Sequence, residues 1–223
     1  KIFVGKSVVA GGRLDEPSEE RLSLQLRDLG FRVERLKTGT PPRLHQHSLD
    51  YQAMTRQPGE EPPPFLSWRC RATQPMFHVE QSVVDADGGD RPNATVRPNV
   101  PRGTLDLPPF APWTPGTDQI PCWITHTNPT TIGIIQEHLS ESALYGGLIA
   151  GTGVRYCPSI EDKIVKFSSH TDHHVFVEPE GRGVPEMYPN GTSNSLPLDV
   201  QLQMIHSIAG LERAEFLAPG YAI

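Results

Sequence analysis

Cysteine is scarce in this chain: Cys70, Cys122 and Cys157 stand far apart among 223 residues. Such spacing supports neither a disulfide framework nor a zinc site, so a reducing compartment, the cytoplasm, is expected and no metal is. Also missing is any apolar run near the ~20 residues that a bilayer crossing requires, and no secretory leader pattern is seen, so no membrane partner is expected. Positive charge is not in excess. Twenty Lys and Arg against 26 Asp and Glu leave a net charge of −6 and a pI near 5.8. That balance argues against a dedicated nucleic-acid module with a basic face. The dinucleotide fingerprint Gly-x-Gly-x-x-Gly does not occur. The chain opens without Met, at Lys1-Ile2-Phe3-Val4, and stops at Tyr221-Ala222-Ile223 with no closing turn. The expectation is a piece of a longer protein.

Proline and glycine are plentiful, at 23 and 20. Twelve of the prolines fall between residues 57 and 119, beside the run Asp85-Ala86-Asp87-Gly88-Gly89-Asp90. Such composition cannot bury enough apolar surface to offset chain entropy, so an exposed insertion is expected there, most clearly after Val84. Trp68, Phe77 and Trp113 are expected to pin its ends.

On either side the patterns are those of an ordered α/β layer. Residues 1–9 read as strand interrupted at Gly5. Ser18 is expected to cap a helix to Leu29 with Leu22, Leu26 and Leu29 as its buried stripe and Gly30 at its end. Residues 31–36 then read as a strand, which completes a strand–helix–strand unit. Next comes RLKTGTPPR, residues 35–43, a proline-stiffened loop between Lys37 and Arg43 that suits an anion or a polar ring edge. A plain tight turn is the alternative. Residues 121–126 read as a strand, and Asn128-Pro129 as the cap and first position of a helix to about Leu139. That helix should bury Ile132, Ile135 and Leu139.

After this comes GTGVRYCPSIEDKIVKF, residues 151–167, around which the rest is organised. Ser159 followed three residues later by Asp162 is a capping-box pattern, and Ile160, Ile164 and Phe167 make one apolar face. Free amides at a helix start favour anions and lower the pKa of a nearby thiol, here Cys157, while Arg155 adds a fixed positive charge. A phosphate-bearing ligand or a reactive thiolate would suit such a place. A capped structural helix is the plainer alternative. His170, His173 and His174 are expected to be solvated turn residues before a strand at 175–178. Glu178 and Glu180 could do acid–base work but read more simply as turn residues, as does the segment Tyr188-Pro189-Asn190-Gly191. A last helix, 198–209, should bury Val200, Met204, Ile205 and Ile208 and stop at Gly210, before a strand at 215–217.

Taken together, RLKTGTPPR, PCWITHTN (121–128), GTGVRYCPSIEDKIVKF, FVEPEG (176–181), YPNGTSNSLPLDVQ (188–201) and PGYAI (219–223) resemble the central part of the MnmG (GidA) family. The likeness is collinear except over about residues 60–119, with 82–119 extra. It implies an α/β fold, a mixed sheet with flanking helices, forming the inserted second domain of a Rossmann-type FAD/NAD(P)-binding flavoprotein. Residues 1–56 would be its strand–helix–strand part and 57–119 the Pro/Gly-rich insertion. Residues 120–223 would be the NADH-binding part.

The resemblance further implies a cofactor stretch for NADH made of Gly153, Val154, Arg155, Tyr156, Cys157, Pro158, Ser159, Ile160, Glu161, Asp162, Lys163, Ile164, Val165, Lys166 and Phe167. Within it Arg155 and Lys163 are available for phosphates, and Cys157 is the catalytic candidate. Ser18 or Glu19 falls where the family contacts FAD. The implied activity installs an aminomethyl or carboxymethylaminomethyl group at carbon 5 of the wobble uridine of certain tRNAs. Implied partners are tRNA, a second copy in a homodimer, and a GTPase of the MnmE type. Ile132 stands where the family usually has histidine, and Val154 where it has proline. A docking module of the same flavoprotein, and the related folate-dependent tRNA uracil methyltransferase, are the competing readings.

Overall fold

The computed structural model describes residues 1–60, 119–153 and 158–223. The expectations for Val154, Arg155, Tyr156 and Cys157, and those for most of the insertion, lie outside the described residues. Residues Lys1–Pro58 and Ile120–Ile223 form one compact unit.

In this unit β1 (Ile2–Val4) turns back through Gly5 into β2 (Ser7–Val9), and α1 spans Arg21–Asp28. Short strands follow: β3 (Leu36–Lys37), β4 (Gly39–Thr40), β5 (Arg43–His45) and β6 (Thr55–Gln57). Then come β7 (Cys122–His126), α2 (Pro129–Glu137), β8 (Thr152–Gly153), α3 (Ile160–Lys166), β9 (His174–Pro179) and β10 (Glu186–Asn190). The chain closes with α4 (Leu198–His206), β11 (Phe216–Ala218) and β12 (Tyr221–Ala222). Two antiparallel sheets, ordered β11-β5-β10-β9-β7-β6 and β2-β1-β12-β4, carry most of the strands, and β3 pairs with β8 in parallel. The mixed α/β class expected from the sequence is what the chain adopts.

The core lies between the six-stranded sheet and the helices α2 and α4. Along β9, Val175 and Val177 are fully buried while Phe176 between them is half-buried and His174 before them is exposed, the period of two that a half-covered strand requires. Facing them are Ile135, Val200, Met204 and Ile205, each with essentially no exposure. Each such side chain stabilises the fold by roughly 1.5–3 kcal/mol relative to an exposed one. The cap of α2 is as expected. Asn128 Oδ1 accepts from the Thr131 amide at 3.0 Å, the Thr131 hydroxyl accepts from the Asn128 amide at 3.3 Å, and Pro129 occupies the first helical position. Gly210, at φ +84°, turns the chain after α4, where a side chain would strike Met54.

Several expectations fail for identifiable reasons. Ser18 does not cap α1: the helix begins at Arg21, its capping residue is Glu20, and no side chain closes its end. Its leucine stripe is not buried either. Leu22 is 61% and Leu29 74% exposed, because among the described residues nothing packs over that face. The expected strand at 31–36 shrinks to Leu36–Lys37, and Phe31 stands exposed. Phe167 is likewise exposed, so Ile160 and Ile164 are the buried apolar residues of α3. Of α2's expected apolar residues only Ile135 is buried, with Ile132 half-buried.

Tyr188, Pro189 and Asn190 belong to a strand and not a turn. They pair with Glu178, Val177 and Phe176, and the bend waits for Gly191 at φ +104°. RLKTGTPPR is also more than a loop. It carries β3, β4 and the start of β5, and Arg43 is held by the Thr40 hydroxyl, the Pro41 carbonyl, the Glu180 carboxylate and the face of the Tyr188 ring. Glu180 is therefore an ion-pair partner, and Glu178 accepts from Asn190 Nδ2 at 3.2 Å. The two are not a catalytic carboxylate pair.

Candidate functional site

The parallel pairing of β3 with β8 puts Lys37 opposite Gly153 and so joins the two stretches that the sequence singles out. Beyond the carboxyl ends of these strands lies a cleft of about 300 Å³. Residues 37–39 form one side, Leu144 and Tyr145 another, and Gly153, Ser159 and Asp162 the third. Crevices at the carboxyl ends of parallel strands are where open α/β folds receive ligands.

Lys37 reaches across to the Leu144 carbonyl at 3.4 Å. Tyr145 donates its hydroxyl to Asp162 Oδ1 at 2.8 Å, and Lys166 approaches the same oxygen at 3.3 Å. Burial, then the hydrogen bond to Asp162 and the charges of Asp162 and Glu161, push the Tyr145 phenol far up. It is a neutral donor at physiological pH and not a base.

The start of α3 is capped as the sequence requires, with the Ser159 hydroxyl accepting from the Asp162 amide at 3.1 Å. The reciprocal half of the box is not made, since Asp162 is turned to Tyr145 and Lys166. The amides expected to await an anion are already engaged. That of Ile160 donates to the Ser193 carbonyl at 2.7 Å, that of Lys163 to the Ser159 carbonyl at 3.1 Å, and that of Glu161 faces its own carboxylate. Two carboxylates in the first turn add to the mismatch with an anion.

Glu161 is fully buried. Its Oε1 accepts from the Ser195 amide at 2.9 Å, the Ser142 hydroxyl at 3.0 Å and the Ser195 hydroxyl at 3.4 Å. Those hydroxyls in turn accept from the amides of Leu144 and Tyr145, so one carboxyl group ties two walls of the cleft together. Burial raises the Glu161 pKa, against the lowering effect of these donors. In the sequence Glu161 is singled out only as a member of the cofactor stretch 153–167 that the resemblance implies. The available signal is its place three residues before Ile164, on the margin of the buried face.

Of the other candidates, Arg155 and Cys157, with Val154 and Tyr156, lie outside the described residues, so the geometry includes neither the phosphate candidate nor the catalytic one. Pro158 is half-buried and Val165 is exposed. Lys163 Nζ donates to the Gly191 carbonyl at 3.3 Å. Ser18 and Glu19 line a second cleft, of about 530 Å³, beside Gly11 and Gly12. There Glu19 Oε1 accepts from the Arg21 amide at 2.7 Å.

In the histidine turn, His170 and His174 are exposed as expected, whereas His173 is only 9% exposed and hydrogen-bonds through its backbone to Thr127. Burial, with Lys163 and His170 nearby, lowers its pKa despite Asp172. No cluster of three potential metal ligands occurs among the described residues, and no helix there is long and apolar enough to cross a membrane.

The family model described as glucose inhibited division protein A matches residues 1–84 and 108–223. This chain belongs to the GidA family. The match also narrows the stretch outside the family pattern, expected at 82–119, to residues 85–107. GidA of Aquifex aeolicus in its form I crystal is 42% identical, with a TM-score of 0.70. The form II crystal gives 38% identity and a TM-score of 0.67. Each match covers 99% of this chain, which spans 31% and 29% of those two chains respectively, about a third of their length.

Proposed function

We propose that this chain is the NADH-binding segment of an FAD-dependent tRNA-modifying enzyme that adds an aminomethyl or carboxymethylaminomethyl group to carbon 5 of the wobble uridine. The observation that carries this reading is membership of the GidA family over nearly the whole chain. The cleft where residues 37–39 meet Gly153 and Ser159 supports it, because it lies where the cofactor stretch 153–167 begins. FAD, when bound, supplies the redox chemistry. Of this chain's residues, Ser18 and Glu19 would meet it, in a cleft of about 530 Å³ whose lining also includes Gly11, Gly12 and Arg35. Cys157 is assigned to the later carbon-transfer steps and Arg155 to the NADH phosphates. The cytoplasm, tRNA, a GTPase of the MnmE type and a second copy of the chain complete the proposal.

The test uses the full-length protein that carries this chain. Arg155→Ala should slow bleaching of the flavin by NADH, since a charge-assisted phosphate contact is worth ~1.5–3 kcal/mol. Cys157→Ser should leave bleaching intact and diminish modified uridine measured by mass spectrometry. Wild-type behaviour of both variants in both assays would favour a docking module instead.

A further inference from the structure

The geometry points to Lys37 as a further phosphate-binding residue, in addition to Arg155, in the cleft at Gly153, where it takes the pyrophosphate of a nicotinamide dinucleotide. The inference rests on the NADH reading above and goes beyond it, because Lys37 lies outside the stretch 153–167 and in a different motif.

Position is the first argument. Lys37 and Gly153 are register partners at the carboxyl ends of the parallel strands β3 and β8, and both line the cleft. Backbone bonds on both sides of Thr38, to and from Ile223 at 3.3 and 3.0 Å, hold the strand end still. Gly153 itself presents no side chain to the cleft, and no described atom lies within 4 Å of where its Cβ would stand.

Unused donor capacity is the second. Among the described residues the Lys37 ammonium has one hydrogen-bond acceptor, the Leu144 carbonyl, at a distance beyond the usual range for N–H···O. Its three N–H groups therefore still have room for an anion, and the side chain is half-buried, where a charge-assisted bond is stronger than in water.

Charge across the cleft is the third. Asp162, the carboxylate on the far wall, already takes the Tyr145 hydroxyl and Lys166, which offsets its repulsion of a phosphate. The rival anion seat, the start of α3, has its amides engaged within the protein and two carboxylates in its first turn. A volume of about 300 Å³ accommodates a pyrophosphate with part of a ribose and leaves the rings outside.

The test is flavin bleaching in the full-length protein, with NADH and with 1-benzyl-1,4-dihydronicotinamide, a hydride donor that carries no phosphate. Lys37→Met should raise the KM for NADH about ten- to a hundredfold at a nearly unchanged limiting rate, and should leave the phosphate-free donor unaffected. Lys37→Arg should recover much of the loss, and inorganic pyrophosphate should compete with NADH in the wild type only. Equal loss with both donors, in Lys37→Met and in Lys37→Gln alike, would make Lys37 a structural residue and overturn the inference. No change with either donor would overturn it too, while leaving the NADH reading intact. A wild type bleached by the small donor and not by NADH would remove the NADH reading itself, and the inference with it.

Discussion

Helices α1 and α4 are nearly equal in length, and both look amphipathic in the sequence, yet they end differently. α4 buries Val200, Gln201, Met204 and Ile205 against the six-stranded sheet, while α1 buries nothing. Periodicity announces a face, but only a partner within the chain buries it. Around α4 the partners are in sequence: β5, β9 and β10 bring Leu44, Val177 and Met187 to meet it. Around α1 the described residues offer none, so Leu22, Leu24 and Leu29 face outward. Stability should therefore reside almost entirely on the α4 side.

The sharpest way to break this comparison is truncation in the α4 core. Leu44→Ala or Met204→Ala should each cost about 2–5 kcal/mol in urea unfolding of the chain, because both side chains are wholly enclosed and leave cavities. Glu161→Ala should cost less, about 1–3 kcal/mol, by leaving the Ser195 amide without its acceptor. Asn128→Ala, which removes a two-way cap, should cost about 1 kcal/mol. On the α1 side Leu29→Ser should stay within about 0.5 kcal/mol. A loss above 2 kcal/mol there would show that α1 is packed after all.

Glu161 also carries a pH signature. Its folded pKa is raised above the ordinary 4.5, so between the two values the folded state holds more protons than the unfolded one. Its favourable contribution is complete below pH 4.5 and is lost as pH rises through the folded value. Urea melts across this window should show stability falling with rising pH, and Glu161→Gln should flatten that slope.

The sequence makes legible much of what is fixed locally, although Ser18 does not cap α1. Asn128-Pro129, Ser159 and Gly210 punctuate their helices as expected, because caps and left-handed turns depend on a few neighbouring atoms. Burial on α1 was not legible, and neither was the strand character of Tyr188-Pro189-Asn190, because both depend on what lies alongside. For the same reason the motif 151–167 suggested an anion seat at the start of α3, while its amides turn out to serve Ser193 and Ser159. The meeting of Lys37 with Gly153 arises from strand pairing across more than a hundred residues, which no local pattern encodes.

Amide hydrogen exchange of the full-length protein, with and without NADH, tests the central claim most directly. Protection on adding NADH should appear at residues 37–39, 144–145 and 153–162, with α1 unchanged. Protection confined to α1, or absent from residues 37–39, would contradict the placement of the dinucleotide in this cleft.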